Sequence, residues 1–447
     1  MSDEFHPDLI NRTALWFLHG AEDANAGLTR FKASRMRIVA GTDVCRSREG
    51  QAALVTAAMT GVRAFAEVAI VIAVPEAELL GGPSRGRTLR EVLADEGARV
   101  LNAVDPEDPV PTLILGPPPE SGAARADWLV AGWTGWTGTV QPLRSIRDDD
   151  LGRCDGNVLA SVTAGALGVA EVFLRMLAEP GSDAGLRTIK IDLWSPRGEA
   201  AAPPRRLMYA PAQWWFLGVG HLGQGFAHVL SWLDYRNPGE VEVVLQDIQK
   251  TVPANHSTGL ITPFGSEGEH KARLVAGALD RCGFGTVVVE RLLDGKSPVR
   301  QSDMHVALIG VDNLSTRLLI EGTGWQTAID VGLGAGATDF DGITVVRFPG
   351  RPEAIIRSWR ERQLKGSVLT DEVAEVPGLD ACGMARLNGI AVGASFVGAI
   401  AGAFGIAESL RCLHGGVAHS ILSSSLRDGE TNGALVDAEL PVSLDLR

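Results

Sequence analysis

Eight residues of this 447-residue chain occur twice, nearly unchanged. Residues 164–171 read AGALGVAE and residues 401–408 read AGAFGIAE; six of the eight positions are identical, and the other two exchange Leu for Phe and Val for Ile. Gly156 and Gly393 stand at the same offset before them. A looser echo precedes each copy, DWLVAGWTGWTGTV at 127–140 and AIDVGLGAGATDFDGITVV at 328–346. Self-similarity with a period of roughly 200–240 residues is the mark of two related domains joined end to end. The halves are unequal, since only the second carries FLGVGHLGQGFA at 216–227.

Hydrophobic patterning gives both halves the same plan. In the first, strands are expected at 35–40, 68–73 and 111–116, with helices over 50–67 and 88–100. In the second, strands are expected at 213–220, 241–247, 286–293 and 304–312, with helices over 222–235 and 271–283. This alternation is the signature of an α/β fold with a largely parallel sheet. Residues 195–212, rich in Pro, Ala and charge, read as the linker, giving domains of 1–200 and 201–447. The second half has some 37 additional residues before its Gly/Ala helix, roughly Thr338 to Ala391, and Cys382 lies among them.

The net charge of −13 argues against the basic surface that nucleic acid requires. The five cysteines, Cys45, Cys154, Cys282, Cys382 and Cys412, form no C-x-x-C pair, which argues against a structural zinc and fits a reducing cytoplasm. The start of the chain, MSDEFHPDLINRTALWFL, is acidic and lacks a signal-peptide charge pattern. Gly389 to Ala407 holds no charged residue and is long enough to span a bilayer. Its Gly and Ala content, and a twin at 156–170 too short to span, point instead to a buried helix pressed against another helix, with no membrane involved.

Gly218, Gly220 and Gly223 form G-x-G-x-x-G between an expected strand and an expected helix. The first glycine permits the turn, the second lets backbone approach a phosphate, and the third lets the helix pack on the strand. The helix start then offers free N–H groups to an anion. Asp247 ends the next strand, 24 residues after Gly223, where it can meet a ribose hydroxyl. Taken alone, this motif suggests a nicotinamide dehydrogenase.

The series that follows is QDIQKTVPANHSTG, Lys271 in GEHKARL, and GVDNLSTR at 310–317. Together with GVGHLGQ it resembles the ThiF/MoeB/HesA family, bacterial relatives of the ubiquitin-activating enzymes. The resemblance covers most of the second half and, through the repeat, more loosely the first. It implies two Rossmann-like ThiF-type halves forming a pseudo-two-fold dimer within one chain, the first half degenerate, with GTDVCRSREG at 41–50 in place of the glycine loop. It implies that Asp247 holds the ATP ribose, that Asn255 and Lys271 contact the phosphates, and that Asp312, paired with Asn313, holds Mg2+. Gln249 stands where the family has a second Asp, and Thr258 where it has an Arg; Arg273 and Arg317 are the replacements within reach in sequence. Arg12, in NRTALWFLHG, resembles the arginine that paired members extend into a partner's ATP site. Cys382, in GLDACGMARLNG, stands where members carry a nucleophilic cysteine on a crossover segment, whereas Cys282 and Cys412 fall in helical patterns and read as core.

The expected function is activation of a ubiquitin-like protein: adenylation of its C-terminal carboxylate, thioester formation on Cys382, and transfer to a conjugating-enzyme-like acceptor. The fused plan resembles activating enzymes of bacterial ubiquitin-like conjugation operons, some used in phage defence. Three alternatives stay open at this point. They are adenylation for sulfur transfer, a nicotinamide-dependent oxidoreductase, and a non-catalytic assembly protein.

Overall fold

The computed structural model describes residues 9–435 apart from 19–20, 106, 119–124, 146–153, 200–201, 205–206, 296–298, 300–303, 335–339, 351–352, 365–392 and 428. Among the described residues the first half forms β1 (Arg35–Ala40), β2 (Glu67–Ile72), β3 (Arg99–Leu101), β4 (Thr112–Leu115), β5 (Leu129–Thr134), β6 (Thr137–Pro142) and β7 (Ile189–Asp192). The second forms β8 (Gln213–Leu217), β9 (Glu242–Gln246), β10 (Gly285–Val289), β11 (Val306–Ile309), β12 (Thr327–Leu333), β13 (Gly342–Phe348), β14 (His419–Ser425) and β15 (Thr431–Leu435).

The two sheets have the same order, β3-β2-β1-β4-β5-β6-β7 and β10-β9-β8-β11-β12-β13-β14-β15, the second longer by one edge strand. In each, the first five strands are parallel and the rest antiparallel. The central parallel strands are covered on both faces, so β4 and β11 are buried throughout and β1 at all but its first position rather than alternating, while the edge strand β10 is largely exposed. The weaker sequence echo is the β5–β6 hairpin in one half and β12–β13 in the other.

Several expected elements end early, and two fall shortest of their expected bounds. The helix expected over 88–100 opens with a Thr88–Glu91 capping box but stops at Asp95, and Gly97 at φ +97° turns the chain into β3. β10 leaves the sheet after Val289, short of the expected residue 293.

Five helices build the seam and the site: α1 (Arg48–Ala64), α2 (Val158–Leu177), α3 (His221–Trp232), α4 (Lys271–Arg281) and α5 (Ser395–Leu413). α2 packs on α5, α5 on α1, and α2 on α3, the pattern that exchanging the two halves leaves unchanged. The repeated octapeptides lie in α2 and α5 and serve the same ends. Gly402 lets α5 approach α3 so closely that a Cβ there would lie 2.5 Å from the Gly225 carbonyl, and Gly165 lets α2 approach the Ala53 carbonyl in the same way. The repeated glutamates, Glu171 and Glu408, are both buried, and both accept a backbone N–H from the returning chain: Gly185 at 2.8 Å and His419 at 3.2 Å. Arg187 neutralises Glu171, while Arg347 and Arg411 flank Glu408.

α2 and α5 are both long and apolar enough to cross a membrane, but 94% and 89% of their apolar windows are buried inside the protein. The first-half helix is thus not the short twin that its sequence suggested; it runs for 20 residues. Replacing Gly402 by Val should cost at least about 2 kcal/mol, because the clash is with backbone that cannot rotate away. Urea unfolding of Gly402→Val would show this as a lowered midpoint, with Ala403→Gly as a control for helix propensity.

Candidate functional site

The glycine loop leaves β8 at Leu217. Gly218 sits at φ +81°, packed so closely on the end of β11 that a Cβ would lie 2.8 Å from Val311. Gly220 opens α3 with no side-chain cap, and the space beside it is empty. A 12-residue helix thus begins without a side-chain cap and beside open space, as an anion site requires. The first half closes the equivalent position. There the Ser47 side chain caps α1 by accepting from Gly50 N–H, and Arg48 crosses the seam to Asp234 at 3.0 Å.

A chain of hydrogen bonds runs from this loop to Lys271. Asp247 accepts the Val219 N–H and the Gln249 N–H, both at 2.7 Å. Gln249 in turn accepts the Lys271 ammonium on its side-chain oxygen at 2.7 Å and the Lys271 N–H on its carbonyl at 3.0 Å. Lys271 opens α4 and is 7% exposed. Burial lowers its pKa, Asp247 and Asp312 oppose that shift, and Arg12 reinforces it. Residues from 12 to 312 thus act on one ammonium group.

Arg12 comes from the other half. Its N–H donates to Ser257 Oγ at 3.0 Å, and that hydroxyl donates to Ala254 at 2.7 Å. Ser257 ends the short helix Pro253–Ser257, in which Asn255 caps the turn by accepting the Val252 N–H at 2.9 Å. Thr258 follows directly, so the Arg12 segment lies against the position that has lost its arginine. The two replacements named from sequence are committed elsewhere. Arg273 is exposed and bonded to Glu290 at 2.6 and 2.9 Å. Arg317 donates to the Val311 carbonyl at 3.0 Å, faces buried Asp330 at 3.4 Å and stacks over Trp359.

Asp312 is exposed at the end of β11, beside Asn313, which caps the next turn by accepting the Thr316 N–H at 3.0 Å. Among the described residues no group of three His, Cys, Asp or Glu could hold a metal ion. A Mg2+ ion at Asp312 would therefore draw its other ligands from phosphate oxygens and water, as Mg2+ commonly does. The open helix start, the buried ammonium and the single exposed carboxylate fit a magnesium-bound triphosphate. Cys382 lies outside the described residues. Cys282 is half-buried in the core, and burial pushes its thiol up to about 12. Cys412 is half-buried as well.

Two residues of the glycine motif were not singled out from sequence. Gln224 accepts the Ile261 N–H at 2.7 Å and donates to Thr262 Oγ1 at 2.8 Å, tying α3 to the chain beyond Thr258. The His221 ring donates from Nε2 to the Ala394 carbonyl at 3.0 Å and fills the gap left by Gly398, where a Cβ would lie 2.5 Å from it. Their one sequence signal was a place between the glycines, which says nothing of partners 37 to 173 residues away.

A pair of Rossmann-like halves meeting on a pseudo-two-fold seam, with one glycine loop open and its counterpart capped, defines an E1-like protein. Residues 35–193 match the family model described as the BilD N-terminal domain, and residues 210–416 match the BilD C-terminal domain. With its two domain models in order along most of its length, the chain belongs to the BilD family. The bacterial E1-like protein BilD of Collimonas sp. (strain OK412) is 29% identical over 426 residues, covering 93% of this chain and 91% of that relative. Among solved structures, E. coli MccB with AMPCPP and MccA is similar at a TM-score of 0.32 and 10% identity, covering 71% of this chain and 98% of that one. The E. coli tRNA N6-threonylcarbamoyladenosine dehydratase TcdA with AMP is similar at 0.32 and 13% identity, covering 45% and 86%. At these TM-scores neither likeness carries weight for the chemistry of this chain.

Burial lowers the His221 pKa to about 4, against the roughly 6.5 of an unfolded histidine. Between those values the unfolded chain binds more protons, so the stabilisation is complete above about pH 6.5 and is lost as pH falls. His228, lowered to about 3 by burial and by Arg63, acts in the same direction. The urea midpoint should therefore fall between pH 6.5 and 4, and His221→Asn should flatten that slope.

Proposed function

We propose that this chain adenylates the C-terminal carboxylate of a ubiquitin-like protein, using ATP bound at the second-half glycine loop. One substrate carboxylate oxygen attacks the α-phosphorus, the bond to the bridging oxygen breaks, and pyrophosphate leaves. The reading rests on the convergence of Lys271, Asp247, Asp312 and the first half's Arg12 beside an uncapped helix start. A hydride-transfer enzyme has no use for such a group, whereas phosphoryl chemistry depends on positioned positive charge.

In this reading Asp247 stiffens the glycine loop through Val219 and orients the ribose with its remaining lone pairs. Lys271 and Arg12 neutralise the phosphates, and Gln249 holds the ammonium without cancelling its charge. Asn255 offers its amide to the phosphates while its oxygen stays on Val252. Asn313 shapes the turn that presents Asp312. A magnesium ion held at Asp312 would neutralise phosphate charge. The acyl group then passes to Cys382 as a thioester, with AMP released, and on to a conjugating-enzyme-like acceptor.

ATP–pyrophosphate exchange in the presence of a cognate ubiquitin-like protein tests the first step. Asp312→Ala should abolish exchange, and Arg12→Ala should slow it at least tenfold with folding unchanged. Exchange at the parent rate in Asp312→Ala would remove that residue from the site. Cys382→Ala should exchange normally but form no reductant-sensitive complex on a non-reducing gel. Parent protein that makes adenylate but no thioester would favour the sulfur-transfer alternative.

A further inference from the structure

Arg63 lies in the last turn of α1, in the half without a glycine loop, and is 2% exposed. A buried guanidinium needs its donors met, and these are met across the seam. Nε donates to the Gly259 carbonyl and one terminal nitrogen to the Leu260 carbonyl, both at 3.1 Å. The other terminal nitrogen holds Met59 O at 2.8 Å and Glu96 at 3.2 Å, which fixes the fork from behind. The backbone carbonyl of the same residue accepts the Asn11 side-chain amide at 3.1 Å, directly before Arg12.

We propose that Arg63 is a positioning residue that sets the Arg12 segment and the Asn255–Leu260 segment in register around the phosphate site. The proposal rests on the reading of that site as one for ATP. One residue grips both segments, its carbonyl holding the first and its guanidinium the second. Packing fixes only part of this: Leu260 is buried in the core and Ile261 packs against it. Behind the second segment lies a cavity of about 470 Å³ between the halves, with His256, Leu260, Ile261 and Phe264 on one wall and Met59 and Phe65 on the other. Facing that cavity, the segment also relies on hydrogen bonds, from Gln224 within its own half and, across the seam, from Arg63 and from the Arg12 N–H to Ser257. Two successive carbonyls suit the planar fork of an arginine, and a lysine would reach one of them.

Amide hydrogen exchange in the unliganded protein tests the positioning itself. In Arg63→Met the amides of Gly259 and Ile261 should exchange at least tenfold faster than in the parent, with amides of the β8–β9 pair unchanged. Arg63→Lys should fall between the two. Asn11→Asp, at a half-exposed site, leaves the buried fork intact and keeps an oxygen for the Thr13 and Ala14 N–H groups that Asn11 caps, but removes the amide that the Arg63 carbonyl accepts, and should speed exchange only in residues 12–17. Should Arg63→Met fail to fold, Arg63→Lys and Asn11→Asp carry the test alone. Unchanged exchange at 259–261 in the folded Arg63 variants, or at 12–17 in Asn11→Asp, would overturn the proposal. Titration with MgATP separates the two readings. Parent protein that binds, with Arg63→Met and Arg12→Ala each weakening affinity and the double variant no weaker than the worse single, supports the coupling. Multiplicative losses would overturn it. Parent protein that does not bind MgATP would sink the ATP reading and leave the exchange result to stand.

Discussion

Backbone contact between helices at the seam governs the rest of the molecule. Gly225 on α3 and Gly398 and Gly402 on α5 remove the side chains that would hold two helices about 10 Å apart. The helix whose first turn presents the glycine loop is thereby pinned, along its length, to a helix that also touches the other half. Interiors are too densely packed to absorb a shift of α3 without moving its neighbours. The orientation of the loop is set by residues that never approach a phosphate.

The polar arrangement is laid over that frame. Asp247, Gln249 and Lys271 form a line in which each member has its partner, so the site needs no ligand to hold its shape. The amide at Gln249 has a physical sense here. A carboxylate at position 249 would pair with the Lys271 ammonium and cancel it. The amide oxygen of Gln249 accepts the same hydrogen bond at 2.7 Å and leaves the charge in place. The absent arginine at Thr258 has a counterpart in geometry too, because the Arg12 backbone is anchored one residue away on Ser257.

Features encoded over a few neighbouring residues were legible in the sequence. The octapeptide repeat, the glycine loop with its strand and helix, and the parallel strands β1, β2, β4, β8, β9 and β11 all show in local pattern. What escaped depends on distant partners. β7, β14 and β15 carry too little periodicity to stand out and exist because antiparallel neighbours are waiting for them. Arg273 and Arg317 looked alike as free cations until Glu290 and Asp330 were seen beside them. His221 sits inside the motif that drew most notice, yet its partner is Ala394, on the far side of the second half. Arg63 gave no sign at all, since a single arginine in an apolar helix says nothing of the carbonyls it will meet.

The bond between Arg12 and Ser257 joins residues 245 apart in one polypeptide. In an assembly of two separate subunits, such a contact would exist only while the subunits stayed together, and it would fade on dilution below their dissociation constant. Here both partners travel on the same chain, so the bond forms at an effective concentration set by covalent connection. A cell holding only a few copies would keep the contact in every one of them, however few there were.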